Sequence, residues 1–237
     1  MKVAIVTGSA KGLGAAVVRH LAADGYTVVI HYNKSKAPAE KLLAEVKKSS
    51  PQSIIVSGNV TTENDVAQIV KKVLEEFGQI DLLVNNVGNF IFKPFEKTTN
   101  AEFREMIESN LYSALYMSRA VLPAMRKQKS GNIINIGAVG AERLIIRENS
   151  TPYFLGKTAA YVLTKAMART EAKHGIRINM VSPGSMAADI FEVADFPSGR
   201  PAVPADVIKA IAFLISPQNS YINGANIEVA GGFIPGF

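Results

Sequence analysis

The 237-residue sequence contains no cysteine. Disulfides, thiolate metal sites and a cysteine nucleophile are therefore excluded. Histidine is scarce. His20, His31 and His174 are scattered, with no metal-ligand spacing among them, so no metal site is expected. The uncharged runs are interrupted by Asn, Pro and Gly, and none reads as a membrane span. The net charge is +6, but no basic cluster accompanies it. Lys and Arg alternate with acids, as in EKLLAEVKKSS, which is the pattern of a solvated helix face rather than of a nucleic-acid contact. Met1 runs almost directly into VAIVTG, leaving no room for a signal peptide. The expectation is a cytoplasmic protein that binds neither nucleic acid nor membrane.

Hydrophobic residues make up 48% of the chain and charged residues 19%, a globular balance. Short apolar runs alternate with longer helical patterns. VAIVTG, YTVVIHY, SIIVSGNV, IDLLVNNVG, GNIINIGA, IRINMVSPG and ANIEVAGG read as strands. Between them, segments such as GLGAAVVRHLAADG and ENDVAQIVKKVLEEFG read as helices, and AEFREMIESNLYSALYMSRAVLPAMRKQ reads as one long helix. Strands apolar on both faces, each followed by a helix, predict a parallel sheet covered on both sides. The expected fold is α/β, a single Rossmann-type doubly wound sheet of about seven strands in one domain over residues 1–237. The longest irregular stretch, 185–204, lies beyond a strand's carboxyl end, where open α/β sheets bind ligands, and is expected to be a short substrate lid.

Two motifs carry chemistry. The first strand ends in TGSAKGLG, where Gly8, Gly12 and Gly14 follow a strand and open a helix. That context suits a pyrophosphate at the helix amino end. The second strand ends in His31, Tyr32, Asn33, Lys34 and Ser35, with no carboxylate to accept from a ribose 2′-hydroxyl or repel a 2′-phosphate. Lys11 and Lys34 are placed to pair with that phosphate, so NADP is favoured over NAD. Further on, Tyr153 and Lys157 stand four apart at a helix start and share one face. A phenol beside an ammonium is a group that can pass a proton.

The glycine loop, NNVG, a single Asn in a long helix and Tyr-x-x-x-Lys occur in that order. Together they resemble the short-chain dehydrogenase/reductase family, in its shorter form similar to the 3-oxoacyl-carrier-protein reductases, over nearly the whole chain. The resemblance implies a cofactor loop at Gly8, Ser9, Lys11, Gly12, Leu13 and Gly14, with Tyr32, Asn33 and Lys34 beyond it. It places Asn59 and Val60 at the adenine, and Asn86, Val87 and Gly88 along the cofactor. Pro183, Gly184 and Met186 fall past the nicotinamide. Tyr153 matches the general acid/base, Lys157 the residue that binds the nicotinamide ribose, and Asn110 the helix Asn that holds a relay water. A small-molecule substrate and a homodimer or homotetramer are also implied.

Three positions depart from that pattern. Ala138 stands where the family's catalytic serine ends the fifth strand, Ala188 where a threonine is usual, and Asn59 where an Asp is usual. Three expectations follow. Another donor (Ser150, Thr151 or Ser185) serves a carbonyl substrate; or the substrate is a conjugated C=N compound that needs no serine, as in dihydropteridine-reductase-like members; or cofactor binding persists without catalysis.

Overall fold

The computed structural model describes residues 1–143, 148–186 and 192–233. Seven strands form one parallel sheet in the order β3-β2-β1-β4-β5-β6-β7. They are β1 (Lys2–Val6), β2 (Tyr26–Tyr32), β3 (Ile54–Ser57), β4 (Leu82–Asn85), β5 (Gly131–Ile136), β6 (Ile176–Pro183) and β7 (Asn226–Val229). The helices are α1 (Gly12–Ala23), α2 (Lys36–Val46), α3 (Glu63–Phe77), α4 (Asn100–Ile107), α5 (Ser113–Gln128), α6 (Thr151–Glu171) and α7 (Pro204–Ile215). The strand order reverses between β1 and β4. This is the topological switch point of a Rossmann-type sheet, where a crevice opens at the strands' carboxyl ends.

The continuous apolar runs of the strands serve two cores. In β1, Ala4 and Val6 pack with Val18 and Leu21 of α1 and Ile211 and Leu214 of α7. Val3 and Ile5, pointing the other way, pack with Val70 and Val73 of α3 and with Val121 and Met125 of α5. Alternate residues of one strand thus face opposite layers. Each fully buried Val, Leu or Ile contributes roughly 1.5–3 kcal/mol, which makes the two layers the main source of stability.

The expected single long helix over 101–128 is not continuous. A π-helical turn, Glu108–Tyr112, separates α4 from α5. Side chains there compete for backbone carbonyls: Ser109 Oγ donates to the Glu105 carbonyl at 2.8 Å, Asn110 Nδ2 to that of Met106 at 3.0 Å, and Ser113 Oγ to that of Ser109 at 2.5 Å. Such bonds loosen the regular ladder. Hydrophobic periodicity does not register one extra residue in a turn, so the sequence reads as unbroken helix.

The lid expected at 185–204 is described only outside 187–191, and Ala188 lies outside the described residues. Among the described residues no helix is long and apolar enough to cross a membrane.

Candidate active site

The glycine loop is shaped by backbone geometry and by close approach. Gly8 and Gly12 adopt φ +60° and +59°, in the left-handed region that disfavours side chains. Gly14 has no room for one: a Cβ there would lie 2.7 Å from Asn86 Nδ2 and 2.8 Å from the Gly8 carbonyl. The loop is stapled to β4. Asn86 Nδ2 donates to the Thr7 and Gly8 carbonyls at 2.9 and 3.2 Å, while Thr7 Oγ1 accepts from the amides of Asn86 and Val87 at 2.9 and 3.2 Å. On the β2 side, His31 Nδ1 accepts the Gly8 amide at 2.9 Å, and Ser9 Oγ accepts the His31 amide at 3.0 Å.

The sequence-predicted cofactor residues therefore divide into two groups. Lys11, Asn33 and Lys34 are exposed. Ser9, Leu13 and Val60 are buried, the last two within the hydrophobic cores. Tyr32 packs partly against the core. Asn59 Oδ1 accepts from Thr61 N and Oγ1 at 3.1 and 2.9 Å, closing a local turn.

The catalytic candidates converge at the carboxyl ends of β4 and β5. Buried Asn85 and Asn135 join these strands through a 2.8 Å bond, and Asn135 Nδ2 donates to Thr164 Oγ1 of α6 at 2.8 Å. This anchors the helix that begins with Pro152 in its first turn and carries Tyr153 and Lys157. The Tyr153 ring stands edge-on to Phe90, with centroids 4.9 Å apart. Phe90 is 46% exposed and borders the site.

Lys157 is 4% exposed. Its ammonium donates to the Ile136 carbonyl at 2.7 Å and lies 5.8 Å from the Tyr153 ring centroid. Burial pulls its pKa down to about 8. Asn110 lies on the π-helical turn, its Nδ2 held by the Asn89 carbonyl at 2.8 Å, while its Oδ1 is buried and has no hydrogen-bond partner among the described residues. A Cβ on Gly88 would fall 2.4 Å from that oxygen and 3.0 Å from Lys157 Nζ, so this glycine admits both groups to one place.

Ala138 is 6% exposed. Its neighbour Gly137 cannot carry a side chain, since a Cβ would meet Ser182 Oγ at 2.4 Å. Of the alternative donors, Ser150 precedes α6 as a buried cap residue whose carbonyl accepts the Phe154 amide at 3.1 Å. The Ser185 carbonyl accepts the Ala202 amide at 3.0 Å. At the end of β6, Pro183 is buried, the Gly184 amide bonds the Val229 carbonyl at 3.0 Å, and Met186 is 41% exposed.

Residues 2–195 match the family model of the short chain dehydrogenases. The chain belongs to that family. It is thus an oxidoreductase of the short-chain type. It is 33% identical over 249 residues to YtkK of Bacillus subtilis (strain 168), an oxidoreductase by name, covering 98% of this chain and 96% of the relative. It is 32% identical over 245 residues to the 3-oxoacyl-[acyl-carrier-protein] reductase FabG of Staphylococcus aureus (strain Mu50 / ATCC 700699), covering 98% and 97%. A reductase of the same name from Synechocystis sp. (strain ATCC 27184 / PCC 6803 / Kazusa) is 33% identical over 241 residues, covering 98% and 97%.

Within this family member, sequence reasoning missed two contributors, Thr7 and His31, which fix the glycine loop. The only signal was position. Thr7 precedes the loop, and His31 stands where an acidic residue was sought.

Burial of Lys157 has a measurable consequence. Because its pKa is lowered in the folded state, the unfolded chain binds more protons between about pH 8 and 10.5. This contribution to stability therefore rises with pH through that window. Relative to Lys157→Met, the wild type is expected to gain up to about 3 kcal/mol between pH 7 and 10, read from urea unfolding of both proteins. A constant difference across that range would mean the ammonium is not desolvated.

Proposed function

We propose that the chain is an NADP-dependent reductase acting on the carbonyl of a small molecule. The observation that carries this reading is the buried Lys157 ammonium gathered with Asn110 Oδ1 at Gly88, on the same helix face as Tyr153. A buried cation with one acceptor among the described residues, and a buried amide oxygen with none, are groups that call for partners. The hydroxyls of a nicotinamide ribose and a relay water fit them. The cradle left by Gly8, Gly12 and Gly14 at the amino end of α1 fits a pyrophosphate.

The dinucleotide, when bound, supplies the hydride. Tyr153 gives its phenolic proton to the substrate oxygen. Lys157 orients the ribose and, as a cation, favours the tyrosinate left behind. Asn110 holds the water through which the proton is replaced. Lys11 and Lys34, exposed near the ends of β1 and β2, pair with the 2′-phosphate.

A second reading is favoured by one observation. Ala138 supplies no hydroxyl, which suits a conjugated C=N substrate or a member that binds cofactor without catalysis. In either reading the chain acts as one unit over residues 1–237, with 185–204 as the lid, in the cytoplasm. A homodimer or homotetramer would cover Tyr112, Leu155 and Val162, apolar positions exposed at the end of the π-helical turn and on α6.

Calorimetric titration tests the cofactor assignment. NADPH is expected to bind more tightly than NADH. Lys11→Ala should weaken NADPH by about tenfold, the scale of one charge-assisted hydrogen bond, and leave NADH nearly unchanged. Equal affinities in the wild type would rule out the NADP preference.

A further inference from the structure

Among the described residues, His31 is the one buried titratable side chain near the site that the proposed chemistry does not use. It is 1% exposed and sits at the carboxyl end of β2, between β1 and β3. Both ring nitrogens are engaged. Nδ1 accepts the Gly8 amide at 2.9 Å, so it must be bare, and Nε2 therefore carries the proton it shares with the Gly58 carbonyl at 3.0 Å. The backbone of the same residue grips the next loop position, since the Ser9 amide donates to the His31 carbonyl at 2.9 Å and Ser9 Oγ accepts the His31 amide. One imidazole thus ties the first glycine of the phosphate-binding turn to the end of β3, beside Asn59.

This arrangement tolerates only the neutral ring. A second ring proton would aim an N–H at the Gly8 N–H, and Gly8 would have to turn away. Its left-handed conformation shapes the loop, and a Cβ there would lie 2.9 Å from Val87, so that turn is already tightly placed.

Among the described residues, the one acceptor bonded to the ring is the Gly58 carbonyl. Facing the ring from the glycine loop are the Gly8 amide and Ser9. From β3 come Val56, in register with His31, and the Gly58 carbonyl. From α3, the Asp65 carboxylate accepts the Asn59 amide at 2.6 Å. Beyond the strand, Lys34 is cationic and exposed, as is Lys11 in the loop. Burial pulls the imidazole below its ordinary value, opposed only by the Gly58 hydrogen bond.

We propose that His31 is a positioning residue that latches the glycine loop, so that dinucleotide binding and protonation of its ring exclude each other. This rests on the reading that the loop holds a dinucleotide. The consequence is a cofactor affinity that falls in acid.

Two measurements on the full chain test it, with NADP+ as the acid-stable probe. In calorimetry, wild-type affinity should weaken more steeply between pH 8 and pH 5 than that of His31→Asn. The asparagine can still accept from Gly8 but cannot protonate, and the comparison cancels titration of the ligand's own phosphate. The same ratio in both proteins would overturn the latch. If the variant does not fold, proton NMR of the wild type decides. With three histidines in the chain, the His31 ring resonance should titrate below the usual range in the free protein and lower still with NADP+. An unchanged midpoint would overturn the proposal. Failure of the wild type to bind NADP+ at pH 8 would remove the cofactor reading, and the latch with it. Failure of the latch alone leaves that binding intact.

Discussion

Replacing Tyr153 by phenylalanine is expected to lower turnover of a reducible carbonyl substrate by about 10²–10⁴-fold, the range of a positioned general acid, while NADPH binding survives. The change removes one oxygen and keeps the ring, so the edge-on contacts with Phe90 at 4.9 Å and Phe154 at 5.1 Å remain. The loss should appear equally in kcat and kcat/KM, because the phenolic proton is needed in the transition state and not for binding. NADPH oxidation followed with a 3-oxoacyl thioester, the substrate class named for the staphylococcal relative, is the assay. Full activity in Tyr153→Phe would mean that the proton comes from elsewhere, and the catalytic assignment would be withdrawn.

The strands and their parallel pairing were legible because runs such as Val3–Val6 are apolar at consecutive positions, and only a sheet covered on both faces buries all of them. The glycine loop was legible because Gly8, Gly12 and Gly14 sit between a strand and a helix. Tyr153 and Lys157 were legible as a pair by their spacing. Their environment was not. That Lys157 is buried depends on the approach of α6 to the π-helical turn, where a Cβ on Gly156 would lie 2.9 Å from the Asn110 Cβ. No periodicity encodes that distance. His31 escaped notice for a related reason. In the sequence it counts as the absence of an acid, and only the register of β2 with β1 and β3 turns it into a contact between two loops.

The Ala138 position offers the second large effect. Ala138→Ser is expected to raise turnover of a simple activated carbonyl substrate, by up to about 10²-fold, because one donor to a developing oxyanion is worth about 10²–10³ in rate. The substitution is feasible here and not one residue earlier. Ala138 already has a Cβ, whereas a Cβ on Gly137 would strike Ser182 Oγ and Met180 Sδ. The added hydroxyl would lie at a 6% exposed position. The sign of the response separates the readings. A rise with the 3-oxoacyl thioester supports a carbonyl reductase short of one donor. Flat or reduced activity on a conjugated cyclic imine, together with new carbonyl activity, supports a C=N substrate. No response with either class, in a protein that still binds NADPH and melts like the wild type, supports a member that holds cofactor without catalysis. A fall in carbonyl turnover would show that the site at Ala138 is already filled by another donor, and would direct the search to Ser150 and Thr151 at the start of α6.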